Sequence, residues 1–112
     1  MQVSATAKYV HIAPRKARLV ARVIRGMTPE TALAALAFTP NRAASVIAKV
    51  VKSATANAES NFGLERGALR VHRVVVEEGP SLRRNRAKAR GRAGPYLHRQ
   101  SHITVVVDDG SA

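Results

Sequence analysis

Apolar and polar positions change their period along the chain, and the changes divide it into elements. QVSATAKYVHI at 2–12 roughly alternates, with Val3, Ala5, Ala7 and Tyr9 on one side, and this period of two predicts a strand. Pro14 stands where a first helical residue belongs and Gly26 where a helix stops, so the stretch between them predicts a helix. On it Leu19, Val20, Val23 and Ile24 gather on one side, while Arg15, Arg18, Arg22 and Arg25 form a stripe on another. One face is expected to pack and one to be cationic. Thr28-Pro29-Glu30 supplies a cap, a first-turn proline and an acid at the positive helix end, opening a short Ala-rich helix through about Phe38. Thr39-Pro40 repeats the signal for a third helix to about Ser60. Its apolar stripe is Ala43, Val46, Ile47, Val50, Val51, Ala54 and Ala58, with Arg42, Ser45, Lys49, Lys52 and Ser53 turned elsewhere, and Asn61 and Gly63 punctuate its end.

From Ala68 the pattern becomes that of strands, LRVHRVVV at 69–76 and HITVVV at 102–107, with the basic stretch PSLRRNRAKARGRAGPYLHRQ at 80–100 between them. If Val75 pairs near Val105 in an antiparallel hairpin, the midpoint falls at Arg90-Gly91, where the glycines of RGRAG suit a reversal. Each arm then runs about thirteen residues beyond the sheet, roughly 45 Å at strand rise, whereas a compact domain of this size has a radius of gyration of about 13 Å. The arm is therefore expected to project. It is too poor in apolar residues to form its own core, so it is expected to fray when alone and to be ordered by a partner.

Charge indicates what that partner is. The 112 residues suit one domain with a modest core, yet carry a formal net charge of +12, which points to a polyanion. Residues 80–100 hold seven of the basic side chains and no acid, so they supply more than half of the excess. The longest apolar run, ALAALAF at 32–38, is too short to span a membrane, and MQVSATAKY has no apolar signal core, so a cytoplasmic location is expected and no membrane partner. The absence of cysteine excludes disulfides, Cys-ligated zinc and a thiol nucleophile. Four aromatic residues are too few for base stacking to dominate, so recognition of folded RNA shape and backbone is expected.

APRKARLVARVIRG (13–26), SATANAESNFG (53–63), EGPSLRRNRAKARGRA (78–93) and SHITVVV (101–107), in this order, resemble the bacterial large-subunit ribosomal protein family numbered twenty-two. The resemblance implies an α+β fold, three helices packed on a small three-stranded antiparallel sheet, with a long protruding β-hairpin at about 78–101 of a single domain over 1–112. It implies a structural constituent of the large ribosomal subunit that binds 23S ribosomal RNA, supports assembly and lines the nascent-peptide exit tunnel. Its partners would be that RNA, neighbouring large-subunit proteins and the nascent peptide, with no cofactor, no catalysis and no DNA. Carried over by position, Leu82, Arg83 and Arg84 fall where the family approaches the tunnel constriction, and Arg90, Gly91 and Arg92 at the hairpin tip. Ala87 stands where the family commonly has proline. The candidate RNA contacts are Arg15, Lys16, Arg18, Arg22 and Arg25 in the first helix, and Arg83, Arg84, Arg86, Lys88, Arg90, Arg92 and Arg99 in the hairpin.

Other constellations point less far. His98 and His102 have the spacing of a zinc half-site but lack a second pair, and His102 is expected to pack at the root of its strand. Ser81 or Ser101 with a histidine and Asp108 lack a nucleophile elbow or oxyanion loop. ARGRAGP is similar to the Arg-Gly-Arg core of minor-groove hooks, which makes a DNA-packaging protein the alternative and a basic membrane binder the next. An arginine row is also what a solvated helix face can show, but no acid lies between residues 13 and 29 to neutralise this one.

Overall fold

The computed structural model describes residues 1–79, 82–87, 93–98 and 100–110. Its elements run β1 (Gln2–Val10), α1 (Pro14–Ile24), α2 (Pro29–Ala37), α3 (Arg42–Phe62), a 3-10 turn (Arg66–Ala68), β2 (Arg70–Glu78), β3 (Leu82–Ala87), β4 (Ala93–His98) and β5 (Ser101–Asp108). β5 is the centre of an antiparallel sheet of order β1-β5-β2, and β3 pairs with β4 in a separate two-stranded ladder. The fold is thus α+β, three helices on a three-stranded antiparallel sheet, as the family resemblance implies.

Helix α3 lies over β1 and β5, while α1 lies against β2 and α2 packs on α3. Ala43, Ala44, Ile47, Val50, Val51, Ala54, Thr55 and Ala58 are the buried face of α3, and Ile103, Val105 and Val107 of β5 are buried beneath the helices. Thr55 is tolerated there because its Oγ1 donates to the Val51 carbonyl at 2.8 Å. Ile47 is fully buried at the centre of this layer. Ile47→Ala should therefore cost about 2–5 kcal/mol from lost transfer energy and the cavity left behind, a large part of the stability of a small domain. A urea midpoint shifted by no more than an exposed control such as Ser53→Ala would contradict this placement of the core.

The helix starts follow local chemistry. Thr28 caps α2 through its Oγ1, which accepts from the Thr31 N–H. The third helix departs from expectation: its cap is Asn41, whose Oδ1 accepts from the Ala43 N–H at 2.9 Å, rather than Thr39, whose hydroxyl donates back to the Ala35 carbonyl. Asn41 is the later of two acceptable caps, and its carbonyl side chain reaches the orphan N–H without competition from the preceding helix.

Two apolar faces also differ from those the sequence pattern predicts. Leu19 and Val23 are 61% and 51% exposed, and the packed face of α1 is Ala17, Val20, Ala21 and Ile24. This set follows i, i+3, i+4, i+7 spacing, and its two alanines let the helix lie close to its neighbours. Tyr9 is likewise exposed, because β1 breaks register with β5 between Ala7 and Val10 and Tyr9 adopts φ 57°.

The hairpin register is close to that expected, with Val74 rather than Val75 opposite Val105. Beyond the sheet, Leu82 stands opposite His98 and Ala87 opposite Ala93, pairs symmetric about position 90. Ala87 keeps β3 paired to its end. Between the two ladders the β2 side is one residue longer than the β5 side, and Gly79 sits at this offset with its N–H donating to the Gln100 carbonyl at 2.9 Å. A Cβ there would come within 3.2 Å of the His102 ring, so the close approach suits glycine. The molecule measures 61 × 25 × 19 Å with a radius of gyration of 16.9 Å, against about 13 Å for a compact domain of this length, as a projecting hairpin requires. The expected tip at Arg90, Gly91 and Arg92, together with Ser81, Lys88 and Arg99, lies outside the described residues.

Candidate nucleic-acid interface

The cationic face of α1 follows from its period. With Ala17, Val20, Ala21 and Ile24 turned inward, the side chains of Arg15, Arg18, Arg22 and Arg25 are left on the exposed side. They are not equivalent. Arg18 donates from Nε and Nη2 to the Val76 carbonyl of β2, at 3.3 and 3.0 Å, and so ties the helix to the sheet edge. Farther along, the Gly26 N–H donates to the Val71 carbonyl and the Val71 N–H to the Met27 carbonyl, each at 2.8 Å. Gly26 has φ 84°, a left-handed conformation that lets the chain leave α1 and meet the strand.

The edge of β2 is thereby held at Val71 and at Val76, and a groove runs between these two points. It has a volume of about 400 Å³ and is lined by Arg18, Ala21 and Arg22 from α1, by Arg25 just past the helix end, and by Arg73, Val74, Val75 and Val76 from β2. No carboxylate contributes to this lining. Arg73 lies outside the residues that the sequence marks as candidate contacts. It arrives there because the β2–β5 register shifts between Val71 and Arg73, leaving His72 as the extra residue of a bulge and both His72 and Arg73 exposed. The signal in the sequence is the doublet His72-Arg73, which breaks the alternation of an otherwise valine-rich strand.

The structure separates Lys16 and Arg15 from this group. Lys16 lines a different cavity, of about 550 Å³, with His11, Ala13, Asn41 and Arg42, where α1 and α3 begin. Arg15 is exposed but lines neither. Arg25 also borders a cavity that contains Arg70, His72, Asp108 and Asp109. Those two carboxylates are directed to the amino terminus: the Met1 ammonium lies 3.0 Å from Asp109 and 3.5 Å from Asp108. The ammonium's hydrogen bond to the Asp109 carboxylate raises the ammonium pKa, and donation from the Gly110 N–H, with the ammonium's charge, holds Asp108 below the usual carboxylate range.

In the hairpin, Leu82, Arg83, Arg84 and Arg86 occupy β3 positions opposite His98, Leu97, Tyr96 and Gly94. They form a second basic segment, removed from α1 by the Gly79–Gln100 root. At that root the Nδ1 of His102 accepts from the Tyr9 N–H at 3.1 Å, and the two rings meet edge to face at 5.0 Å. His102 is thus a packing residue. Ser101 is buried and donates to the Ile12 carbonyl at 2.6 Å, which gives its hydroxyl a structural rather than a nucleophilic role. Among the described residues no group of three or more His, Asp or Glu could hold a metal ion, and no helix is long and apolar enough to cross a membrane.

Residues 5–108 match the family described as ribosomal protein L22p/L17e. A large ribosomal subunit protein uL22 of Desulforamulus reducens is 50% identical over 109 residues, which covers 97% of this chain and 96% of that protein. The uL22 of Thermoanaerobacter sp. strain X514 is also 50% identical over 109 residues, 97% of this chain and 98% of its own length. That of Pediococcus pentosaceus is 54% identical over 105 residues, 94% and 89% of the respective chains.

Proposed function

This chain belongs to the ribosomal protein L22p/L17e family, and from that membership we propose that it is a single domain that anchors to 23S ribosomal RNA through its basic surfaces and lines the peptide exit tunnel with its hairpin. The family consists of structural proteins of the large ribosomal subunit, not enzymes, and the ribosome is where the chain resides.

The observation that carries the RNA reading is the clustering of Arg18, Arg22, Arg25 and Arg73 around one groove with no carboxylate in its lining. Unneutralised guanidiniums gathered on one surface are stabilised by phosphate, to which each offers paired donors. Lys16, near Arg42, and Arg15 extend the basic surface of α1. By their place in the sequence Arg83, Arg84, Arg86, Lys88, Arg90, Arg92 and Arg99 would supply a second basic set, interspersed with small residues such as Ala87, Ala89 and Gly91 that suit close approach of a backbone. The tunnel role is proposed for Leu82, Arg83 and Arg84 and for Arg90, Gly91 and Arg92, on their correspondence to the family's hairpin and on the 61 Å length of the molecule. Neighbouring large-subunit proteins and the nascent peptide complete the set of partners.

A tagged full-length chain produced in bacterial cells should sediment with large subunits, remain there through a high-salt wash, and be released by ribonuclease. Sedimentation with chromosomal DNA, released by deoxyribonuclease instead, would favour the packaging alternative and overturn the proposal.

A further inference from the structure

We infer that the groove between α1 and the edge of β2 seats an unpaired nucleotide of RNA, with phosphate held by Arg22, Arg25 and Arg73 and the sugar lying on Ala21, Val74 and Val75. The inference rests on the RNA-binding reading and adds to it a residue from the sheet and a shape of ligand.

Charge is the first support. Three guanidiniums from two different elements line one space without a carboxylate among them, so an anion entering it relieves their mutual repulsion. Arg18, whose Nε and Nη2 are already engaged by the Val76 carbonyl, acts as a positioning residue that fixes the separation of helix and strand.

Shape is the second. At about 400 Å³ the groove lies in the lower part of the range of small-ligand sites, and the Arg18–Val76 and Gly26–Val71 hydrogen bonds hold the helix and its exit against β2. A duplex is too wide to enter, whereas one strand can present a single sugar–phosphate unit. Apolar lining is the third support: Ala21, Val74 and Val75 line the groove beside the guanidiniums, which suits the carbon face of a ribose better than a bare inorganic phosphate.

The test uses the full chain and a short oligouridylate carrying 4-thiouridine, with photocrosslinks mapped by mass spectrometry and binding measured against salt. Crosslinks are expected on the 73–76 segment. Arg73→Ala should remove them and lower the magnitude of the log affinity against log salt slope by about 0.7, the value for one phosphate of a single strand. Arg73→Lys should keep the slope, and Arg66→Ala, an exposed arginine ion-paired with Glu59 outside the groove, should change neither readout. Thermal melting of each variant confirms that the fold is retained. Wild-type crosslinks confined to the hairpin, with a slope indifferent to Arg73→Ala, would overturn the inference while leaving RNA binding intact. Displacement of the groove crosslinks by an RNA duplex as readily as by unlabelled oligouridylate would also overturn it. A wild-type chain that bound neither this probe nor ribosomal RNA in a salt-dependent manner would instead overturn the RNA-binding reading itself.

Discussion

Replacing Arg83, Arg84 and Arg86 together by alanine should flatten the salt dependence of binding to folded large-subunit RNA. Each phosphate neutralised by a guanidinium releases condensed counterions, and for a duplex-like target the slope of log affinity against log salt is about −0.9 per contact, so three lost contacts lower its magnitude by up to about 2.7. Between 50 and 200 mM salt the variant would then lose about 40-fold less affinity than the parent, having begun from a weaker value. The three residues sit within four consecutive positions of one strand, β3, paired with β4. Their replacement leaves the core untouched, because Ile47, Ile103 and the buried alanines belong to the three-stranded sheet and its helices. A slope unchanged in the triple variant, at an unchanged melting temperature, would place these side chains off the RNA.

Much of this architecture is legible in the sequence wherever a local signal and the tertiary structure agree. Pro14, Thr28-Pro29 and Gly63 mark helix ends because the missing N–H of proline, the capping hydroxyl and the left-handed residue act within one turn of chain. The two valine-rich strands and the symmetric hairpin are legible for the same reason: period and centre of symmetry are properties of the chain itself. What escapes is set by neighbours distant in sequence. Leu19 and Val23 outrank Ala17 and Ala21 in hydrophobicity, yet the alanines are buried, since close packing of α1 is decided by side-chain size. The choice of Asn41 over Thr39 depends on where α2 ends, and Tyr9 leaves its alternating side at a register break forced against β5. Arg73 of the proposed nucleotide groove escapes for the same reason. Nothing near it resembles the Arg stripe of α1, and only the bulge at His72 and the packing of α1 on the strand bring the two together.

The second large effect expected is a division of labour between the two basic segments. Changing Arg15, Arg22 and Arg25 to glutamate replaces attraction to phosphate by repulsion on the helix and halves the formal net charge of +12, while retaining Arg18 preserves its bonds to the Val76 carbonyl and hence the fold. Such a chain should dock poorly. Deleting Leu82, Arg83 and Arg84 acts elsewhere: it shortens one side of the hairpin by an odd number of residues, reverses which face later residues present, and displaces whatever lies beyond. The anchoring domain is untouched by it, so large subunits should still take up the chain while their response to tunnel-binding drugs or to nascent peptides changes. Occupancy is read by mass spectrometry of purified large subunits, with each variant expressed beside a tagged wild-type copy. This division of labour predicts near wild-type occupancy for the deletion and a loss of at least about tenfold for the glutamate variant. Exclusion of the deletion variant together with normal incorporation of the glutamate variant would contradict it.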